Sequence, residues 1–161
     1  MEDRKKIGSF MKLAIQVAKE TMKQNPGGPF GAVITNPEGK VIAATGNRVL
    51  EMHDPTAHAE MNAIRIASES LGTHDLSGCT LYATGYPCPM CLSAIIWANI
   101  KTVYFGCSPE DAETYGFRGG FIYRYIRGEE RDPGLLQMME LDREGCLELF
   151  QIYAENNKML H

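Results

Sequence analysis

The sequence predicts an α/β protein: one mixed sheet of about five strands with helices on both of its faces. Three observations lead there. Apolar residues recur at helical spacing near the start, two β-rich runs flank a turn, and beyond them short apolar runs alternate with helical patterns. The 161 residues make most simply one domain, 1–161, long enough to bury a sizeable core.

Each element follows from its residues. Between Ile7 and Lys23 the apolar positions Phe10, Leu13, Ala14, Val17 and Ala18 mark one helical face. Asn25-Pro26-Gly27-Gly28-Pro29 breaks that helix. GAVITNPEGKVIAATGN then reads as a hairpin around Asn36-Pro37-Glu38-Gly39. A second helix is expected over Ala57–Leu71, stopped by Gly72. Cys79–Ala83 is a short apolar strand, Cys88–Asn99 a third helix, and Thr102–Gly106 a further buried strand. This β–α–β unit requires parallel strands joined by a right-handed crossover. Pro109–Arg127 is rich in Gly and Tyr and reads as loop with short helical turns. Leu135–Leu141 is expected as a last strand and Arg143–Asn157 as a C-terminal helix.

Composition excludes several function classes. Hydrophobic residues make up 44% and charged residues 22%, ordinary for a globular chain. A net charge of −4 gives no basic field, so neither nucleic acid nor an anionic membrane is an expected partner. No apolar run approaches the roughly 20 residues that span a bilayer. The start, MEDRKKIGSFMK, lacks the apolar core of a signal peptide, and the cytoplasm is the expected compartment. In a reducing compartment the odd cysteine count, five, points to metal binding or catalysis rather than a disulfide framework. Cys79, Cys107 and Cys146 stand among apolar neighbours and read as buried, inert thiols.

The remaining two cysteines carry chemistry. Cys88 and Cys91, in Tyr86-Pro87-Cys88-Pro89-Met90-Cys91, are three apart at a helix start and share one face. Backbone N–H groups there favour thiolates, which suits a redox pair or a metal. Thirty residues upstream, a second helix start carries His58 and Glu60. A redox pair would leave both idle. A closed structural metal knot would need Cys79 or Cys107 as a fourth ligand and would have no use for Glu60. His58 with the two thiolates gives three ligands and leaves a fourth tetrahedral position for water, the pattern of a catalytic zinc site.

His58-Ala59-Glu60 together with Pro87-Cys88-Pro89-Met90-Cys91 resembles the H-x-E…P-C-x-x-C signature of the zinc-dependent cytidine deaminase superfamily. That resemblance implies a three-layer α/β/α cytidine-deaminase-like fold. It implies Zn2+ on His58, Cys88 and Cys91, a zinc-bound hydroxide as nucleophile, and Glu60 as the catalytic proton shuttle to a departing ammonia. Within the superfamily, Gly27-Gly28-Pro29-Phe30-Gly31-Ala32-Val33-Ile34, Asn47-Arg48-Val49, Asp54-Pro55-Thr56 and Gly116-Phe117…Phe121-Ile122-Tyr123 are similar to segments of bacterial guanine deaminases. The similarity runs from about Met11 to Arg127 and implies that Asn47 hydrogen-bonds the heterocycle. Phe30, His58 and Trp97 would border the ring, with Ala59 against it through its backbone and Pro87 a further substrate contact. A turn role for Asn47 and plain core packing for Phe30 and Trp97 are the alternative readings.

Three positions depart from the guanine deaminase pattern. Tyr86 stands where a Glu is usual, Gly119 stands where an acidic residue helps recognise guanine, and residues 158–161 hold no closing aromatic. Arg118, beside Gly119, is expected to favour a substrate with an extra carbonyl or negative charge. The implied reaction is guanine to xanthine, with guanosine, cytosine, triazines, pterins and then tRNA adenosine as alternatives. A catalytically idle binding protein on the same fold is the other class. The family also implies a homodimer, with the C-terminal segment 143–161 docked on its own chain or exchanged with a partner.

Overall fold

The computed structural model describes residues 2–24 and 27–156. Asn25 and Pro26 of the expected break, Asn157 of the expected last helix, and the closing residues 158–161 lie outside the described residues. The chain runs α1 (Glu2–Lys23), β1 (Gly31–Thr35), β2 (Val41–Gly46), α2 (Val49–Met52), α3 (Ala59–Leu71), β3 (Thr80–Gly85), α4 (Pro89–Trp97), β4 (Thr102–Cys107), α5 (Pro109–Thr114), α6 (Gly120–Arg127) and α7 (Arg143–Glu155). The sheet order is β2-β1-β3-β4, antiparallel except for the parallel β3–β4 pair that α4 connects.

The hairpin forms where the sequence places it. Gly39, at φ 74°, closes the turn with its N–H on the Asn36 carbonyl, and Asn36 Oδ1 accepts from Lys40 N at 2.8 Å. Strand alternation divides the core into two layers. Ala32, Ile34, Leu81 and Ala83 pack with Ala63 and Ala67 of α3 and Ile95 of α4, while Val33 and Tyr82 face Ala14 and Phe10 of α1. Two glycines let α1 approach. Gly31 and Gly46 are register partners, and a Cβ on either would come within 2.1 Å of the Ala14 carbonyl oxygen or of Thr21 Oγ1. Helix α3 ends at Gly72, left-handed at φ 65°, with its N–H on the Ser68 and Glu69 carbonyls.

Several expectations are corrected. The described sheet has four strands instead of about five, because Leu135–Leu141 forms no strand; Met138, Met139 and Leu141 are each more than three-quarters exposed. Strand β4 is an open edge, not a buried strand: Tyr104 and Phe105 are 39% and 47% exposed, since among the described residues no further strand pairs with it. Tyr104 gains its packing sideways, stacking on Tyr82 at 5.3 Å. Cys79 is buried as expected, but Cys107 and Cys146 are exposed, one on that open edge and the other on α7.

Candidate active site

Two helix N-termini meet at the end of the sheet, and each presents its N-cap residue to the other. His58 caps α3 and Cys88 caps α4, both with extended backbone, and neither side chain is spent on a capping bond. The turn before His58 is built from its own residues. Asp54 Oδ1 accepts from Thr56 N at 2.8 Å and Thr56 Oγ1 at 2.7 Å, Arg65 donates to Thr56 Oγ1 at 3.1 Å, and His58 N reaches the Thr56 carbonyl at 2.8 Å. Those Thr56 bonds hold the Asp54 carboxyl below its ordinary value, with Arg65 adding to the effect. From below, the buried Asn62 amide donates to the carbonyls of Gly46 and Ala57 at 3.2 and 3.1 Å, tying the turn to β2.

The resulting trio suits one ion. Cys88 Sγ and Cys91 Sγ lie 3.6 and 3.5 Å from His58 Nδ1, and all three ligand atoms fall within 4.8 Å of one another. Bonds of about 2.3 Å to sulfur and about 2.05 Å to nitrogen, at the tetrahedral angle, separate S from N by about 3.6 Å. The side chains thus already hold the spacing zinc requires. By themselves they share a proton: the Cys91 thiol donates to Cys88, which with His58 beside it falls to about 4, while that bond and burial drive Cys91 well up. A dication held by both sulfurs would favour the thiolate form of each. Among the described residues the group comprises His58, Cys88 and Cys91, a donor set that would suit a zinc ion with room for water.

Glu60, in the first turn of α3, is 8% exposed, and burial pushes its carboxyl up, with the Cys88 thiolate adding to the effect. A buried carboxyl held near its proton can both take and give one.

A cavity of about 470 Å³ opens over this centre. The structure brings Phe30, Asn47, His58, Glu60, Pro87, Cys88 and Arg118 to its wall. Phe30 meets Phe117 edge to face at 5.0 Å, forming an apolar side. Asn47 both lines the cavity and holds a turn, its Oδ1 accepting from Val49 N at 3.2 Å. Gly27 is needed against it, because a Cβ there would lie 2.2 Å from Asn47 Oδ1. Ala59 packs its side chain into the core between His58 and Glu60.

Trp97 is not brought to this cavity. It is 74% exposed and absent from the cavity wall, because nine residues of α4 at about 1.5 Å each carry it roughly 13 Å from Cys88. His53 is exposed as the left-handed cap of α2 and also takes no part.

Sequence reasoning left several wall residues without a role. Phe117 and Tyr123, from the Gly- and Tyr-rich stretch Pro109–Arg127, line the wall, while Tyr115 is 82% exposed. Tyr123 donates its hydroxyl to the Pro87 carbonyl at 2.9 Å, fastening α6 beside the metal ligands. Glu113 and Tyr86 also line the cavity. No spacing rule singles out Glu113, which reads only as one acid among several in Ser108–Glu113.

Comparison with known proteins follows this geometry. Residues 4–107 match the family described as the cytidine and deoxycytidylate deaminase zinc-binding region. Guanine deaminase of Bacillus subtilis is 47% identical over 118 residues, covering 73% of this chain and 75% of that one. The X-ray structure of a guanine deaminase from Bacillus subtilis superposes with a TM-score of 0.85 at 40% identity, covering 96% of each chain. A tRNA-specific adenosine deaminase of Agrobacterium fabrum is 45% identical over 97 residues, covering 60% of this chain and 62% of that one.

Proposed function

This chain belongs to the zinc-binding cytidine and deoxycytidylate deaminase family, hydrolases of ring C–N bonds, and from that footing we propose guanine as its substrate. Guanine and water become xanthine and ammonia. The observation that carries this reading is the likeness to a guanine deaminase structure through 96% of both chains, which takes in the helices walling the cavity as well as the metal ligands.

The residues divide the work. His58, Cys88 and Cys91 hold zinc, which when bound supplies Lewis-acid activation of water. Glu60 would take one proton from the attacking water and pass it to a ring nitrogen, then carry the second, from the hydroxyl now on the ring carbon, to the amine, so that the C–N bond breaks, ammonia leaves and a carbonyl remains. Its burial keeps the carboxyl basic enough for the first step. Asn47 Oδ1 is committed to Val49 N, so its Nδ2 remains to donate to the ring. Phe30 packs on the ring with Phe117, Pro87 borders it, and the Ala59 backbone lies against it. Arg118, at the mouth and without an ion-pair partner among the described residues, offers donors to a ring carbonyl.

Residues 1–161 are read as one deaminase domain acting as a homodimer. Leu149, Phe150 and Ile152 of α7 are 67%, 73% and 56% exposed, an apolar face that a second copy, by docking or exchange, would cover. Free cysteines suit the reducing cytoplasm. No helix of the described chain is long and apolar enough to cross a membrane.

The likeness to tRNA adenosine deaminase favours a second reading, against which stands the net charge of −4. Ammonia release from guanine, guanosine, cytosine, adenine, triazines, pterins and a tRNA anticodon hairpin separates them. Guanine is expected to give the highest kcat/KM; preference for the hairpin or for a non-purine ring would overturn the assignment.

A further inference from the structure

We propose that Glu113 is the specificity-determining residue of the cavity, its carboxylate accepting a ring N–H of the bound heterocycle. The inference rests on the deaminase reading above and deepens it. Of the charged or titratable groups on the wall, His58 and Cys88 belong to the metal and Glu60 to proton transfer. The Tyr123 hydroxyl is committed to the Pro87 carbonyl, and Tyr86 offers a phenol, a weaker acceptor than a carboxylate. Asn47 Nδ2 and Arg118 can only donate. A ring that carries both carbonyl and N–H groups needs an acceptor as well, and Glu113 is the carboxylate left to serve.

The backbone makes room for it. Glu113 is carried by α5, and its carboxylate leans over the start of α6, where residues 119 and 120 are both glycine. A Cβ on Gly120 would lie 2.7 Å from Glu113 Oε1, whereas one on Gly119 would meet nothing within 4 Å. The Glu113 carboxylate therefore occupies space that any side chain at 120 would contest. Arg124 Nη1 is 3.4 Å from the same point, but that guanidinium is engaged by Glu130, with Nε to Oε2 at 3.1 Å. Among the described residues no ion pair takes up the Glu113 carboxylate, although nearby acids Glu129 and Glu130 are both paired. Glu113 is exposed at the cavity wall, so its carboxylate is free to exchange water for a ring N–H.

Ammonia release by the zinc-loaded full-length protein, from guanine and from N-methylated guanines each lacking one ring N–H, tests this. The parent should prefer guanine over at least one methylated form. Glu113→Ala and Glu113→Gln should lower kcat/KM for guanine by about 10- to 100-fold, the weight of one hydrogen bond to a charged group. Both should erase that preference while zinc content and circular dichroism stay unchanged. Gly120→Ala should act in the same direction, because the added methyl displaces only the flexible end of Glu113, and combining it with Glu113→Ala should bring no further loss. A guanine preference that survives Glu113→Ala would overturn the proposal. Should the parent act on another ring, the guanine assignment fails, and Glu113→Ala with undiminished kcat/KM on that ring would sink this inference too. Silence of the parent on every ring would overturn both.

Discussion

His58, Cys88 and Cys91 place two sulfurs 3.6 and 3.5 Å from one imidazole nitrogen, and that arrangement costs free energy unless something positive sits among them. The two thiols are pushed apart: the hydrogen bond from Cys91, with His58 beside it, holds Cys88 low, and that bond with burial pushes Cys91 up, so that without a cation only one of them is favoured as a thiolate. Zinc held by His58, Cys88 and Cys91 would favour both sulfurs as thiolates. Stripping it with a chelator should abolish ammonia release and lower the melting temperature, since an ion that binds only the folded chain contributes about 2.7 kcal/mol when present at 100 times its dissociation constant. Cys88→Ser and His58→Ala should each fall well below one zinc per chain by elemental analysis. Full occupancy in either variant would remove that residue from the ligand set.

At the scale of elements, the ligands depend on how two helices begin. The turn before α3 is held by Asp54, Thr56 and Arg65 more than by any apolar contact. Asp54→Ala should weaken zinc binding by about tenfold, the low end of what loss of an outer support costs, measured by competition with a chromophoric chelator. The depressed Asp54 carboxyl gives a sign for acid. Its contribution is fully present above its ordinary value of 3.8 and is lost as pH falls through its lower folded value, so the parent should loosen in acid more than Asp54→Ala does. On the opposite face of the sheet, Gly31→Ala sets a methyl 2.1 Å from the Ala14 carbonyl oxygen, backbone that cannot step aside. Overpacking of that kind should cost about 1–3 kcal/mol in chemical denaturation; an unchanged midpoint would mean that α1 does not sit on β1 as described. Most of these elements were legible beforehand because their cues are local: Gly72 after a helical period, Asn36–Gly39 between β-rich runs, and paired signatures at two helix starts. Trp97 and Leu135–Leu141 were not, for a common reason. Aromatic and apolar character signals burial only if another element arrives to cover it, and no such arrival is written in the local pattern.

The whole molecule is lopsided. Its core lies under β1, β2 and β3, while β4, the end of α4 and α7 keep large apolar side chains in the open. Ile96 and Trp97 are 65% and 74% exposed and Phe150 73%, surfaces that the proposed second copy would cover. Light scattering should return about twice the 17.9 kDa chain mass; the mass of one chain would leave those surfaces without an occupant. Through all of this the catalytic claim is narrow: a zinc centre that is useful only because Glu60 moves protons beside it. Glu60→Gln keeps the size and the metal ligands but cannot carry a proton. The decisive measurement is ammonia release by Glu60→Gln at verified full zinc occupancy. The account expects a loss of at least about a hundredfold in kcat with zinc still bound. Near-parental turnover in that variant would contradict it.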